Sequence, residues 1–160
     1  MLKASSYQVF LIIFIPLILS VNISDFWIST MFNILGYGML FAWFLLVGRS
    51  LNEQLPDDEK RNDTFFIINC FYLIAFISLS SILNSDKESE MPAFVLLLAV
   101  YFVFAFFYVV SFTAQSFLSI QELKSKKSTH FNSQMVFLYF FIFIVGIWFI
   151  QPRLNEYFKE

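Results

Sequence analysis

Five long stretches without a charged residue constrain this chain more than any other feature of its sequence. They contain no Asp, Glu, Lys or Arg, they are 21, 23, 22, 31 and 22 residues long, and they cover residues 4–24, 26–48, 64–85, 91–121 and 131–152. The ten basic and twelve acidic residues all lie between these stretches or at the two ends of the chain. Because a helix needs about 20 apolar residues to cross a bilayer, the pattern predicts a helical, multi-pass membrane protein.

Composition supports the same class of protein. The chain is 59% hydrophobic and 14% charged, whereas a soluble domain is typically about 45–50% apolar and about 25% charged. The apolar stretches are continuous and lack the alternation of a membrane β-barrel strand. We therefore predict an all-α transmembrane bundle, a single domain over 1–160, with about five spans near 8–23, 26–48, 64–84, 91–119 and 135–151.

The two shortest predicted spans each leave an alternative open. The first resembles the apolar region of a signal peptide, but Ser20-Val21-Asn22 fits a cleavage site poorly, so we expect a retained span. The fifth could dip into the bilayer and return. We expect it to cross, since about 16 apolar residues can span a bilayer that thins locally. The fourth, beginning at Met91-Pro92, would measure about 46 Å and should emerge into water.

Basic residues between the spans predict the orientation. With the N-terminus in the cytoplasm and five spans, the inner segments hold seven basic residues and the outer segments three. The inner seven are Lys3, Arg49, Lys60, Arg61, Lys124, Lys126 and Lys127; the outer three are Lys87, Arg153 and Lys159. If the fifth segment re-enters, the C-terminus is also inside and the bias becomes nine against one. The sequence favours a cytoplasmic N-terminus in both cases.

The fourth span carries a row of polar side chains, which we call the seam. Its members lie on one helical face, because they are separated by 7, 3, 4 and 4 residues: Tyr101, Tyr108, Ser111, Gln115 and Ser119. They could line a cavity or substrate path, but we favour hydrogen bonding between helices, because no ionisable residue joins them. Asn33 and Asn69 are the expected partners, and Gly38 with Ala42 predicts a close helix contact.

No arrangement of residues in the chain predicts catalysis. The acidic loop 53–63 lacks the spaced ligands and turn glycine of a calcium loop, and Pro56 with acids in a first helical turn explains it better. His130 and Cys70 have no catalytic or metal-binding neighbours in the sequence. We expect no enzyme, no metal and no cofactor. A net charge of −2 without a basic patch also predicts no nucleic-acid partner.

Three segments carry a resemblance to a known family. They are Gly48-Arg49-Ser50-Leu51-Asn52-Glu53-Gln54-Leu55-Pro56, then Ala114-Gln115-Ser116-Phe117 with Gln121-Glu122-Leu123, and Gly146-Ile147-Trp148-Phe149-Ile150-Gln151-Pro152-Arg153-Leu154-Asn155. In order and spacing they resemble a family of uncharacterised small membrane proteins widespread in Bacteroidota. The resemblance implies a multi-pass protein of the bacterial cytoplasmic (inner) membrane and no particular activity.

The last of these segments has two interpretations. It could simply mark a helix leaving the membrane, with Trp148 at the interface and Pro152 ending the helix near Gln151. It could also be a functional motif made of Gly146, Trp148, Gln151, Pro152, Arg153 and Asn155. For function we expect a non-enzymatic partner or regulatory subunit of a membrane complex, with the lipid bilayer and a membrane protein or a second copy as partners. The alternative is a small transport or lipid-handling protein with a cavity along the seam.

Overall fold

The computed structural model describes residues 4–83, 93–124 and 132–158. Within them the chain is all-helical, with six helices and no strand. The helices are α1 (Ser6–Asn22), α2 (Phe26–Glu53), α3 (Thr64–Leu83), α4 (Ala93–Lys124), α5 (Ser133–Phe141) and α6 (Phe143–Tyr157). The all-α prediction is confirmed. The expected start of the fourth span at Met91-Pro92 lies outside the described residues.

Three helices are long and apolar enough to cross a membrane, namely α2, α3 and α4. Their lengths are compatible with a membrane protein, as the charge-free stretches predict. The apolar helix α1 has 17 residues and therefore measures about 25 Å, slightly less than the hydrocarbon thickness of about 30 Å. Helix α4 has 32 residues and measures about 48 Å, so it exceeds that thickness, as expected.

Helices α1 and α2 form an antiparallel pair, joined by a short connection and capped at their N-terminal ends. Ser5 caps α1 in a capping box with Gln8, and Asp25 caps α2 through the Ile28 N–H. The two helices approach closely at Gly36, where an added Cβ would lie 2.6 Å from the Leu17 side chain. Gly38, the expected contact, has open space around it. The close approach therefore uses the neighbouring glycine on another side of α2.

Helix α2 lies at the centre of the bundle, because it packs on α1, α3 and α4. α3 also packs on α4, and the remaining contacts run from α4 to α5, from α5 to α6 and from α6 back to α1. The core contains the fully buried side chains of Trp43 and Phe44 from α2, Phe66 from α3 and Phe117 from α4. Trp43 and Phe44 also contact Phe143, with ring centroids 4.9 and 6.1 Å away. The C-terminal helices thus close the bundle over α2.

The last predicted span is not one straight helix. α5 and α6 meet at Ile142 with a bend of 120°, and Ile142 has φ −91° and ψ 66°, outside the helical region. An added Cβ on Gly146 would lie 1.7 Å from the carbonyl oxygen of Tyr139, so the first turn of α6 lies directly on α5. Position 142 is an isoleucine and not one of the residues, glycine or proline, that commonly break a helix. The two helices run past both ends of the predicted span 135–151, and hydropathy carried no signal for the bend between them.

Ring contacts give the direction of α6. Phe143 packs on Phe14 at 6.3 Å, and Trp148 packs on Phe10 at 5.9 Å, nearer the start of α1. Further along α6, Gln151 donates to the carbonyl of Ala4, which precedes α1. α6 therefore runs antiparallel to α1, and its C-terminal end lies beside the N-terminal end of α1.

Helix α5 reaches only part of the way along α4. Phe141, its last residue, stacks on Phe107 at 5.5 Å and also contacts Phe106 at 5.9 Å. Both partners lie near the middle of α4, which spans Ala93–Lys124. Beyond the bend the chain returns, and Tyr157 at the end of α6 contacts Phe117 near the C-terminal end of α4 at 5.6 Å. α5 and α6 form a helical hairpin with both ends on the same side of the bundle.

Candidate functional site

The structure divides the seam into two groups. Tyr101 faces α3, where its hydroxyl donates to Oδ1 of Asn69 at 3.0 Å. The Asn69 amide in turn donates to the Phe65 carbonyl at 2.7 Å. Asn33, the other expected partner, accepts instead from the Ser81 hydroxyl at 3.2 Å. This part of the seam joins two helices, which is the role that the sequence favoured.

The second group of the seam meets a charged residue that the sequence assigned only to a loop. Nη1 of Arg61 donates to Oε1 of Gln115, and Nε2 of Gln115 donates to Oγ of Ser111 at 3.2 Å. A cavity of about 170 Å³ opens beside this chain of contacts. We call it the Arg61 cavity, and its lining residues are Arg61, Asn62, Tyr108, Ser111, Phe112 and Gln115.

A buried asparagine fixes the position of Arg61. Asn52 is 5% exposed, and its side chain donates to the Arg61 carbonyl at 2.8 Å and accepts from the Arg61 N–H at 3.0 Å. The side-chain amide of Asn52 thus makes both hydrogen bonds that a neighbouring backbone would make to Arg61, and it holds the end of the loop against α2. Leu51 and Leu55 anchor the start of the same loop in the core.

Gly48 brings the rest of this segment close to α3 and α4. An added Cβ would lie 2.6 Å from Cζ of Phe66 and 3.0 Å from Oγ1 of Thr113. The segment Gly48–Pro56, singled out in the sequence, therefore has a structural role in which glycine, the buried leucines and Asn52 position the loop. This position of the loop places Arg61 against the seam.

The charges of the loop distinguish Arg61 from its basic neighbours. Arg49 lies 2.8 Å from Glu53 and 3.7 Å from Asp63, and Lys60 lies 2.7 Å from Asp57. The Lys60 ammonium also lowers the pKa of Asp57, mainly through this hydrogen bond. Among the described residues no carboxylate lies within salt-bridge distance of Arg61, and its partner is a neutral amide.

A larger groove lies on the other side of Gln115, between α4 and α5. Its volume is about 490 Å³, and we call it the α4–α5 groove. Apolar and polar side chains line it: Ser111, Ala114, Gln115, Leu118, Ser133, Gln134, Phe137 and Leu138. Ser111 and Gln115 also line the Arg61 cavity. The two spaces therefore share one wall. Ser119, the last member of the seam, is half-buried and lines neither space.

The C-terminal motif forms a separate network around Gln151. This side chain is buried; its Oε1 accepts from the Trp43 indole N–H at 3.2 Å, and its Nε2 donates to the Ala4 carbonyl at 3.0 Å. Asn155 donates to the same carbonyl at 3.1 Å. The network ties the two ends of the chain to the centre of α2.

The other motif residues are explained by this packing. Gly146 allows the bend, and Trp148 is 48% exposed beside Phe10. Arg153 is half-buried and interacts with Tyr157 one turn later. The expectation that Pro152 ends the helix is wrong, because α6 continues to Tyr157. Pro152 is exposed, so its ring projects from the bundle, and its missing N–H costs one helical hydrogen bond.

Within the ranges 4–83, 93–124 and 132–158 no group of three or more His, Cys, Asp or Glu side chains could hold a metal ion. His130, Lys87, Lys126 and Lys127 lie outside these ranges. Neither a protein-family model nor a curated protein nor a solved structure matches the chain. The function has therefore to be argued from the geometry of the site.

Proposed function

We propose that this chain is a non-enzymatic membrane protein that binds a lipid molecule in the α4–α5 groove. One observation carries the proposal: a groove of about 490 Å³ combines apolar walls with four polar side chains. Such a lining matches an amphiphile, whose acyl chain needs apolar contacts and whose head needs hydrogen-bond partners. The sequence alone favoured a partner subunit over lipid handling; the groove is the observation that supports lipid handling here.

The level of the groove in the bundle supports a lipid as its occupant. α3 begins at Thr64, directly after the charged loop, and its first turn packs on α4: Phe65 lies 4.9 Å from Tyr108, and Phe66 lies 4.3 Å from Phe112. A helix that follows a charged loop enters the hydrocarbon near its first turn. Ser111 and Gln115 then lie close to the bilayer surface, where head groups meet acyl chains.

The proposed topology has α1 to α4 crossing a bacterial cytoplasmic membrane and the hairpin of α5 and α6 entering it from the cytoplasmic side. The 120° bend and the contact of Gln151 with Ala4 support a cytoplasmic location for both termini. All basic residues except Lys87 then lie inside, nine against one. Non-helical backbone is tolerated at membrane depth where protein covers it, and the Ile142 N–H still donates to the Leu138 carbonyl at 2.7 Å.

A reporter fused after Glu160 tests this topology. We expect activity from a reporter that works only in the cytoplasm and silence from one that works only after export. The matched control is a reporter fused after Leu83, at the far end of α3, for which the two results should be exchanged. Export of the reporter at Glu160 would reject the re-entrant hairpin and support five spans.

Native mass spectrometry of the purified full-length protein tests lipid binding. Leu138 lines the groove and is 44% exposed, whereas Leu35 on α2 is 45% exposed and lies outside the groove. We expect one retained lipid in the wild type and in Leu35→Trp, and its loss in Leu138→Trp, because the indole fills the groove. Equal retention in both variants contradicts the proposal. A protein that co-purifies with the wild type and is lost in Leu138→Trp would instead support the partner-subunit alternative.

A further inference from the structure

The Arg61 cavity has the chemistry of an anion site. Its lining contributes a guanidinium, two hydroxyl groups and two amides, and none of the described residues that line it carries a carboxylate. The guanidinium offers a planar fork of N–H donors that matches two oxygens of a phosphate, and hydroxyl and amide N–H groups can donate to the others. A water molecule occupies about 30 Å³ in the liquid, so a cavity of about 170 Å³ has room for a phosphate group.

The helix that borders the cavity adds to this preference. Oδ1 of Asn62 accepts from the Thr64 N–H at 2.9 Å, at the start of α3. Asn62 also lines the cavity, so the positive end of the α3 dipole lies beside it. Asp63, the acidic residue that follows Asn62, lies 3.7 Å from Arg49, and that cation partly offsets its charge. The described lining of the cavity therefore carries one formal positive charge, that of Arg61, and no negative one, although the whole chain is slightly acidic.

Arg61 is also positioned before any anion arrives. Its backbone is held by Asn52 through two hydrogen bonds, and its side chain rests on Gln115. A neutral amide accepts from one N–H of the guanidinium and leaves its charge uncompensated, so a phosphate oxygen in place of that amide turns a bond to a neutral group into a bond between opposite charges. Little loop ordering has to accompany binding, which favours affinity.

We propose that the Arg61 cavity binds the phosphate of an anionic phospholipid whose acyl chain lies in the α4–α5 groove. The inference rests on the proposed lipid binding and adds the head-group class and the residue that selects it. Gln115 lies in the wall between the two spaces, which places the phosphate beside Arg61 and the glycerol ester beside Ser111. A zwitterionic lipid is disfavoured because the ammonium group of its own head group offsets the phosphate charge that Arg61 would recognise.

The test measures which lipid the purified full-length protein retains from an equimolar mixture of phosphatidylglycerol and phosphatidylcholine, again by native mass spectrometry. We expect the wild type to prefer phosphatidylglycerol by roughly tenfold, the size expected for one charge-assisted contact. Arg61→Gln should still retain one lipid but without preference. Lys60→Gln removes an equal charge from the same loop, where Lys60 lies 2.7 Å from Asp57, and should keep the preference.

Each other outcome rejects a defined part of the proposal. Equal loss of preference in Arg61→Gln and Lys60→Gln overturns the site, because a general positive field would then select the lipid. Displacement of phosphatidylglycerol by millimolar inorganic phosphate identifies a free anion as the ligand and overturns the lipid assignment. Retention of no lipid by the wild type rejects the proposed function itself. If Arg61→Gln fails to fold, Arg61→Lys decides: it keeps the charge and loses the fork, so an unchanged preference contradicts recognition by the guanidinium.

Discussion

Gln151 and Gln115 are the same residue type in two regions of the molecule, with opposite surroundings. Gln151 is fully buried and connects Trp43 of α2 with Ala4 before α1. Gln115 is exposed, contacts one cation and lies between two open spaces. The buried amide joins parts of the fold, whereas the exposed amide faces room for a ligand. Surroundings, rather than residue type, therefore separate a structural amide from a candidate binding residue.

Gly146→Ala should disrupt the first region most strongly. The new Cβ would lie 1.7 Å from the Tyr139 carbonyl oxygen, and backbone at that distance can move only if α6 leaves α5. We expect a loss of more than about 3 kcal/mol of stability or no folded protein, measured by thermal unfolding in detergent. Gly38→Ala is the matched control, because nothing lies within 4 Å of its Cβ. Similar unfolding temperatures for the two variants would show that the bend does not depend on Gly146.

Gln151→Leu and Gln115→Leu test the comparison directly. Leucine at 151 leaves the Trp43 N–H and the Ala4 carbonyl with one fewer partner in a buried site, at a cost of about 2–4 kcal/mol. Leucine at 115 leaves Arg61 with access to water, so the change in stability should be under about 0.5 kcal/mol. Thermal unfolding of both variants gives the difference. A larger loss for Gln115→Leu would reverse the assignment of structural and binding roles.

Asn52→Ala should have an intermediate effect, since it joins structure to the site. Asn52 makes two hydrogen bonds to the Arg61 backbone, and their loss should cost about 1–3 kcal/mol. Released from this contact, Arg61 should also lose part of its preference for anionic lipid. Ser50→Ala, in the same turn of α2, serves as the control for both measurements. A stable Asn52→Ala with full lipid preference would show that Arg61 is positioned by other contacts.

The sequence predicted the elements that depend on the bilayer and missed those that depend on packing. The length of a charge-free stretch is set by the thickness of the hydrocarbon, so three of these stretches start within two residues of the helices α2, α3 and α4. The sequence left a re-entrant last segment open but did not place a bend at Ile142, because the bend follows from how α6 lies on α5 and α1; Gly146 was its only local signal. The helical period placed Tyr108, Ser111 and Gln115 on one face.

Arg61 was missed as a site residue for a similar reason. Its approach to the seam depends on the loop fold that Asn52 imposes, and the spacing of residues along the sequence does not encode the path of a loop. The glycine and asparagine of Gly48–Pro56 did indicate a specific structure. They did not indicate which side chain that structure would bring to α4.

Lys60 and Arg61 offer the last and smallest test, because they are adjacent cations with different partners. Lys60 lowers the pKa of Asp57 below its ordinary value of 3.8, so Lys60→Gln should raise that pKa towards 3.8, measurable by NMR titration of the carboxyl. Since the folded pKa is the lower one, the stabilisation exists above pH 3.8 and is lost as the pH falls through the folded value. Asp57 is fully exposed, so unfolding temperatures should hardly change, and salt should weaken the effect on the pKa.

Lys60→Gln should leave lipid preference intact, whereas Arg61→Gln should abolish that preference and leave the pKa of Asp57 where it is. A shift of lipid preference in Lys60→Gln equal to that in Arg61→Gln would mean that the loop acts through its total charge, and that the Arg61 cavity is not a selective site.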